Sequence, residues 1–171
     1  MDYREIPRFP HAAYEVDVQW PHLEDHLSSC EGLDLNPDFQ REHVWTMAQQ
    51  TAYIEFCLRG GEVGRTIIVN APEWEDLSYH GATLVDGKQR LEAIRKFMRD
   101  EVLVFGGHKR SEITGNARIF MNRIRWRVVS LKTRDDVLDF YLSINSGGTP
   151  HTAEEITRVR AMVSSSGIVS E

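Results

Sequence analysis

Short apolar runs and stretches with apolar residues at helical spacing follow one another along the chain. The change from one pattern to the other marks most of the predicted elements. Residues 83–85 form a short apolar, partly β-branched run that is typical of a buried strand. Directly after this run the apolar residues recur at helical spacing, at Leu91, Ile94, Phe97 and Met98. Residues 82–99 are therefore predicted to form a strand, a turn and a helix.

The same spacings predict further elements on both sides of this unit. Strands are predicted at residues 16–18, 65–70, 101–105 and 122–130. Helices are predicted at residues 21–29, 46–58 and 133–144, with a last helix that carries Ile156, Val159 and Val163. In the helix of residues 46–58, Thr46 and Gln49 should form a capping box, and the buried side should contain Met47, Ile54, Cys57 and Leu58.

The composition is that of an ordinary globular protein. Of 171 residues, 41% are hydrophobic and 27% are charged, which is enough for one core. Cys30 and Cys57 are isolated, so we expect idle thiols in a reducing compartment. No apolar run approaches the roughly 20 residues that a membrane span needs, and the first residues lack the apolar core of a signal peptide. We therefore expect a cytoplasmic protein with no membrane partner.

Charge is distributed unevenly along the chain. The net charge is −6, yet residues 88–134 hold 13 of the 20 Lys and Arg and only 4 of the 26 Asp and Glu. Within this basic segment Arg123, Arg125 and Arg127 alternate with apolar residues, so a strand there would separate a basic face from an apolar face. Three such arginines are able to follow a nucleic-acid backbone, or to keep an edge strand from aggregating. The sequence leaves both interpretations open, and DNA is an expected partner.

Five consecutive polar or small residues lie at the turn between the predicted strand and helix: Asp86, Gly87, Lys88, Gln89 and Arg90. A helix N-terminus presents unpaired N–H groups and the positive end of the helix dipole, which favour a bound anion and phosphate above all. Lys88 and Arg90 add two cations. The pattern has a second interpretation, because an aspartate followed three residues later by glutamine is also a capping box.

Two loops carry further polar residues. The turn of residues 36–38 is followed by Gln40 and Arg41, and Arg41 is able either to clamp a phosphate or to pair with a nearby carboxylate. After the predicted helix of residues 133–144 comes a glycine-rich loop that contains Asn145, Gly147, Gly148 and Thr149. Such a loop either wraps a ligand or only connects two helices.

Three motifs stand in order along the chain: NPDFQR at residues 36–41 with Trp45 four residues later, VDGKQR at residues 85–90, and FYLSINSGGTPHTAEE at residues 140–155. Together they resemble the DGQQR-motif branch of the ParB/sulfiredoxin-like superfamily, the domain found at the N-terminus of GmrSD-type modification-dependent restriction enzymes. The resemblance spans about residues 33–160. Lys88 stands where the motif has its first glutamine.

The resemblance implies an α/β (α+β) fold with a mixed sheet, flanking helices and a helical C-terminal part. It implies a nucleotide-using domain at residues 33–164, preceded by an N-terminal extension at residues 1–32 and followed by a tail at residues 165–171. Related members of the superfamily transfer phosphoryl groups from a Mg–nucleotide. The cofactors that the resemblance implies are therefore ATP, or another NTP, and Mg2+.

The resemblance also implies a role for each motif residue. Asp86 would act as a general base or as the Mg2+ partner, with Lys88, Gln89 and Arg90 as the other catalytic residues. Nucleotide binding would fall to Gly87, Lys88 and Arg90 at the turn, to Gln40 and Arg41 as a second clamp, and to Asn145, Gly147, Gly148 and Thr149 in the late loop. Together they would surround the transferring phosphoryl group with cations and aligned donors.

The expected activity is that of an ATP-dependent kinase which phosphorylates a hydroxymethylated pyrimidine, 5-hydroxymethyluracil, in phage-type DNA. The absence of a nuclease domain and the basic segment favour this interpretation. A modified base in a duplex would have to be exposed or flipped to reach the site, and single-stranded DNA would present it directly. One alternative is an NTP-hydrolysing, DNA-sensing subunit of a restriction or defence system, and another is a nucleic-acid-binding module without catalysis.

Overall fold

Helices cover parts of both faces of a four-stranded mixed sheet in the computed structural model, which describes residues 5–6, 14–40, 42, 44–76, 78–114, 122–144 and 153–166. The strands are β1 (Tyr14–Gln19), β2 (Thr66–Asn70), β3 (Thr83–Asp86) and β4 (Arg123–Val129). The helices are α1 (Leu23–Ser29), α2 (Met47–Leu58), α3 (Lys88–Met98), α4 (Arg134–Ile144) and α5 (Ala153–Ser166). This arrangement confirms the α/β class.

The strand order β1-β4-β2-β3 places β4 inside the sheet. β4 pairs with β1 in antiparallel and with β2 in parallel orientation, while β2 and β3 are antiparallel. Burial along β4 alternates as the sequence predicts, with Arg123, Arg125 and Arg127, the arginine row, exposed. The interpretation of the arginine row as protection for a sheet edge is wrong, because both sides of β4 are paired.

The main hydrophobic core lies between the sheet and the helices α1 to α3. Alternate strand residues supply one side of it, among them Ile67, Val69, Leu84, Ile124, Trp126 and Val128. The helices supply the other side with Leu23, Ile54, Leu91, Ile94 and Phe97. Burial of each such side chain stabilises the fold by roughly 1.5–3 kcal/mol. This core therefore fixes where α3 begins relative to the sheet.

A second core covers the opposite face of β2 and β3. Its buried residues are Phe39, Val85, Val137, Leu138, Tyr141 and Val159. The C-terminal helices α4 and α5 thus pack against the strand that leads into the polar turn. The ring centroids of Phe39 and Tyr141 are 5.2 Å apart in an edge-to-face contact, which ties the loop before α2 to α4.

The N-terminal segment contributes to the same sheet and core. β1 pairs with β4 along its whole length, from Tyr14 opposite Val128 to Gln19 opposite Arg123. The helix α1 follows, and its Leu23 is buried in the main core. The proposed extension of residues 1–32 therefore includes an edge strand of the sheet.

The helix α2 begins at the predicted capping box. The Thr46 hydroxyl accepts a hydrogen bond from the Gln49 N–H at 3.3 Å, and the Gln49 side chain accepts one from the Thr46 N–H at 2.9 Å. The prediction that Met47 is buried is wrong, since 54% of it is exposed. Met47 is the first residue of the helix, and the buried side starts only with Gln50.

The predicted strand at residues 101–105 does not form. Within it only Val104 makes a bridge, to His108. Backbone groups of this segment bond instead to two side chains of α2, those of Thr51 and Glu55. Phe105 then takes a positive φ of 49°, which turns the chain before a ladder can lengthen.

Candidate functional site

The turn between β3 and α3 is built on Gly87. Its φ is 99°, in the left-handed region, and a Cβ there would lie only 2.4 Å from Cδ1 of Ile67. The register of β2 and β3 also shifts beside the turn, where Ile68 pairs with Asp86. A bulge of this kind re-aims the neighbouring side chain. Together these features bring Asp86 and the first residues of α3 close against β2.

Asp86 and Arg90 form a short ion pair at the start of α3. Oδ2 of Asp86 accepts a hydrogen bond from Nη2 of Arg90 at 2.6 Å, and the two side chains are 31% and 23% exposed. The same guanidinium nitrogen donates to the carbonyl of Thr66 at 3.0 Å. Nε of Arg90 is buried and has no hydrogen-bond partner among the described residues. A backbone carbonyl of β2 thus holds the ion pair in place, while the Nε–H group of Arg90 has no acceptor in the part of the chain that the structure describes.

The interpretation of Asp86 and Gln89 as a capping box is wrong. The N-cap of α3 is Gly87, which has no side chain that could accept from the helix N–H groups. The Asp86 carboxylate is instead engaged by Arg90. The N-terminal end of α3 is therefore left without a side-chain cap, the condition under which a helix end accepts an external anion.

Gln89 fastens the start of α3 to the segment that precedes α2. Its Oε1 accepts hydrogen bonds from the N–H groups of Val44 at 2.9 Å and Trp45 at 3.0 Å. Its Nε2 donates to the carbonyl of Glu42 at 3.1 Å. The side chain that the resemblance places among the catalytic residues thus makes three backbone contacts with one loop.

The NPDFQR motif reaches the same strand. Nε2 of Gln40 donates to the carbonyl of Leu84 in β3. Arg41 lies outside the described residues, although the residues on both sides of it, Gln40 and Glu42, contact β3 and α3. Asn145, Gly147, Gly148 and Thr149 also lie outside the described residues.

The C-terminal helices hold the other end of this loop. Arg158 of α5 donates to the carbonyls of Asp38 at 2.7 Å and Phe39 at 2.9 Å. Arg134 of α4 donates to both carboxylate oxygens of Asp38, at 2.9 and 2.8 Å. The segment that carries Gln40 is therefore anchored by three elements far apart in sequence.

Lys88 lines a cleft of about 480 Å³ along the side of α3. Asn36 and Glu42, from the segment before α2, also line it, together with Glu92 and Lys96 of α3. Among the described residues, the ammonium groups of Lys88 and Lys96 have no ion-pair partner, so both are available to an anionic ligand. The cleft joins the start of α3 to the loop of the NPDFQR motif.

A comparison with family models matches residues 23–127 to the N-terminal domain of GmrSD restriction endonuclease. The chain belongs to this family. The matched range contains the Asp86–Arg90 turn and the arginine row of the GmrSD-type domain, whereas β1 precedes it and the motif at residues 140–155 follows it. No curated protein matches the chain.

The arginine row of this GmrSD-type domain is paired with acidic residues of β1. Arg123 lies 3.1 Å from Asp17, and Arg125 lies 3.6 Å from both Glu15 and Asp17. Arg127 lies 3.8 Å from Glu15. All three arginine side chains are about half exposed, so β1 and β4 together present a charged face of the sheet. The sequence predicted the arginines of this face but not the carboxylates that pair with them.

The sequence did not predict the residues that hold the backbone segment which Arg90 contacts. The Tyr53 hydroxyl donates to the carbonyl of Gly64 at 3.1 Å, next to the backbone that receives Arg90. Burial raises the pKa of Tyr53, which further favours the neutral phenol that donates this hydrogen bond. Its ring packs against Trp45, with the centroids 5.4 Å apart. No spacing in the sequence signals this role, because Tyr53 acts on a loop rather than on its own helix.

The described residues contain no group of three His, Cys, Asp or Glu side chains that could hold a metal ion. Mg2+ is commonly bound through one or two carboxylates together with substrate phosphates. Asp86 is one such carboxylate, paired with Arg90, and would hold a Mg2+ only together with the phosphates of a nucleotide. Cys30 and Cys57 are buried free thiols.

Within the described part of the chain, every helix is too short or too polar to cross a membrane.

Proposed function

We propose that this domain binds a nucleoside triphosphate at the β3–α3 turn and hydrolyses it in response to DNA, as part of a restriction or defence system. The observation that carries the proposal is the ion pair of Asp86 and Arg90, 2.6 Å apart at an uncapped helix N-terminus. Membership in the GmrSD family supports the restriction context.

The phosphates would bind at the start of α3. Gly87 leaves the first N–H groups of the helix open, and the helix dipole favours negative charge at this end. Lys88 supplies a cation without an ion-pair partner among the described residues, and the guanidinium group of Arg90 supplies a second cation. Phosphoryl transfer needs this kind of surrounding, because its transition state spreads negative charge over the phosphate oxygens.

Asp86 is the group that would act next to the transferring phosphate. As a general base it would take a proton from water while the water oxygen bonds to the terminal phosphorus and the bond to the bridging oxygen breaks. As a Mg2+ partner it would hold the ion that arrives with the nucleotide, and that ion would neutralise phosphate charge. In both roles Arg90 and Thr66 fix the position of the carboxylate.

Gln40 and Gln89 would have a positioning role. Gln40 contacts β3, and Gln89 contacts Glu42, Val44 and Trp45, so both hold described residues on either side of Arg41 close to the turn. Arg41 would then act as the second clamp on the nucleotide. The loop with Asn145, Gly147, Gly148 and Thr149 is proposed to close over the same site.

The family assignment favours hydrolysis in a restriction system over a kinase of 5-hydroxymethyluracil. The two activities differ in the acceptor, which is water in one and a hydroxyl on DNA in the other. Labelled NTP, Mg2+ and plain or hydroxymethylated DNA distinguish them. We expect DNA-stimulated release of labelled phosphate, and label that appears in the DNA would overturn hydrolysis in favour of the kinase.

Substitution of Asp86 tests the site itself. Asp86→Asn should lower the rate of phosphate release by about 100-fold or more, since general-base or metal contributions are of that size. Asp139→Asn on the exposed side of α4 is the matched control and should leave the rate unchanged. Calorimetry that shows no nucleotide binding, together with retained DNA binding, would replace the proposal by a binding module without catalysis.

A further inference from the structure

The carboxylates that face the arginine row come from outside the matched family range. The match covers residues 23–127 and therefore contains the arginine row of β4 but not β1. In the antiparallel pair of strands, Glu15 is opposite Arg127 and Asp17 is opposite Arg125. The strand that precedes the family region thus places acidic residues in register with a basic row.

The contacts between these side chains are loose. The shortest is 3.1 Å, between Arg123 and Asp17, and the others are 3.6 to 3.8 Å. Elsewhere the chain builds tight pairs, as where Arg95 donates two hydrogen bonds to Glu24 at 2.7 and 3.1 Å. Exposed ion pairs contribute little to stability. Another anion can therefore replace Glu15 and Asp17 without unfolding the sheet.

The face is open and regularly spaced. The side chains of the arginine row are 45 to 60% exposed and those of Glu15 and Asp17 are 37 to 44% exposed. Alternate residues of a strand are about 6.6 Å apart, so the three guanidinium groups start from evenly spaced positions along β4. The arginine row therefore offers several regularly spaced cations to the phosphates of a nucleic-acid backbone.

A cleft of about 590 Å³ continues this face toward the candidate site. Arg59, Arg123, Arg125 and Thr66 are among the residues that line it. The carbonyl of Thr66 is the group that receives Arg90. A strand bound along the arginine row thus ends beside the backbone that positions the Asp86–Arg90 pair.

We propose that the arginine row binds the phosphodiester backbone of DNA and that β1 is a built-in competitor for it. Glu15 and Asp17 neutralise the arginines while no DNA is bound, and phosphates displace them on binding. The competition keeps DNA affinity low and dependent on the number of phosphates that engage at once. DNA as the ligand rests on the proposed function, whereas the competition by β1 does not.

Fluorescence anisotropy with a labelled DNA duplex and the full chain, without nucleotide, tests the competition. Glu15→Gln together with Asp17→Asn removes both charges and keeps the side-chain shapes. We expect the double variant to bind about tenfold more tightly at low salt. The matched control is Asp25→Asn with Glu31→Gln, which changes the net charge by the same amount. These residues lie in and just after α1, on the side of the sheet where His26 packs against Trp126 and away from the arginine row. It should shift affinity by less than about twofold.

A second set of variants tests the surface. Replacing all of the arginine row by Gln should abolish measurable binding at physiological salt, while replacement by Lys keeps the charges and should retain most of the affinity. Each single arginine removed should reduce the slope of log affinity against log salt concentration by about 0.9. Circular dichroism melting of each variant confirms that the sheet is intact.

The outcomes separate the two proposals. If the Glu15 and Asp17 variant binds no more tightly than its control, the competition is wrong, whatever the nucleotide assay shows. If wild-type chain hydrolyses NTP but the Gln variants still bind DNA as wild type does, the surface is wrong and hydrolysis stands. If DNA binds as expected and no nucleotide is hydrolysed, the proposed function fails and this surface remains.

Discussion

Gly87 meets two demands that no residue with a side chain meets at the β3–α3 turn. Its φ of 99° strains an L-residue, and a Cβ would overlap Ile67. We expect Gly87→Ala to lower the free energy of unfolding by about 2–4 kcal/mol, from backbone strain and overpacking together. Gly60 is a matched control with φ of 95° and nothing within 4 Å of a Cβ. Gly60→Ala should lose only about 1 kcal/mol, and equal losses in urea unfolding would contradict the steric argument.

His26 makes stability depend on pH. Its ring lies edge-on to Trp126, with centroids 4.9 Å apart, and burial lowers the pKa of His26. As pH falls, the unfolded chain takes up this proton first, below its ordinary pKa of about 6.5. The contribution to stability is therefore present above about pH 6.5 and is lost as pH falls through the folded-state pKa.

We accordingly expect the free energy of unfolding to decrease from pH 7 to pH 5, and His26→Gln to remove part of that decrease. His22→Gln is the control, since His22 is mostly exposed beside Asp25. Urea unfolding at several pH values measures the effect. An unchanged pH profile in the His26 variant would refute this assignment.

At the scale of residues, the sequence showed which polar groups are neighbours but not what each contacts. Asp86, Lys88 and Arg90 were predicted together because they are adjacent in the chain. The choice between a cap and an ion pair was not predictable, because a carboxylate can reach either the helix N–H groups or a guanidinium four residues later. Gly87 decides it, since the glycine and not Asp86 occupies the N-cap.

At the scale of elements, one side chain joins α3 to the loop before α2. Gln89→Ala removes three hydrogen bonds to Glu42, Val44 and Trp45 and should lower the free energy of unfolding by about 1–3 kcal/mol. Gln89→Glu keeps the two acceptor contacts, because a carboxylate still accepts from Val44 and Trp45, and should lose less.

Hydrogen exchange measures this connection locally. The N–H groups of Val44 and Trp45 should exchange faster in Gln89→Ala, whereas the Gln49 N–H, bonded to Thr46 at the start of α2, should not change. Equal acceleration at all three positions would indicate general loosening and would reject a specific link.

Elements with a strong local signal were predicted correctly, whereas the strand predicted at residues 101–105 would have needed a distant partner and does not form. β2 and β3 each contain an apolar, β-branched run, and α3 and β4 each show a periodic apolar pattern; the structure confirms all four elements. Residues 102–105 also form an apolar run, but burial of Val102 and Val104 is enough to explain it. A strand further requires a neighbouring backbone, and here side chains of α2 take the backbone groups.

At the scale of the whole molecule, the C-terminal helices reach the candidate site through Arg158. This side chain donates to the carbonyls of Asp38 and Phe39, which precede Gln40. Arg158→Ala should slow nucleotide hydrolysis, by about tenfold if misplacement of the loop is the cause, with a small loss of stability. Steady-state kinetics and urea unfolding measure the two effects separately. A large loss of stability with unchanged turnover of the folded fraction would contradict a positioning role.

The interior place of β4 has a consequence for the nascent chain. Gln19 at the end of β1 pairs with Arg123, so β1 has no ladder until β4 has left the ribosome. At about 5–20 residues per second, that delay lasts roughly 5–20 s. β2 and β3 can pair with each other in the meantime, whereas β1 waits as a lone strand. A chain truncated before residue 123 would lack β4, and β1 could then not join the pair of β2 and β3. The four-stranded sheet can therefore form only after β4 has been synthesised.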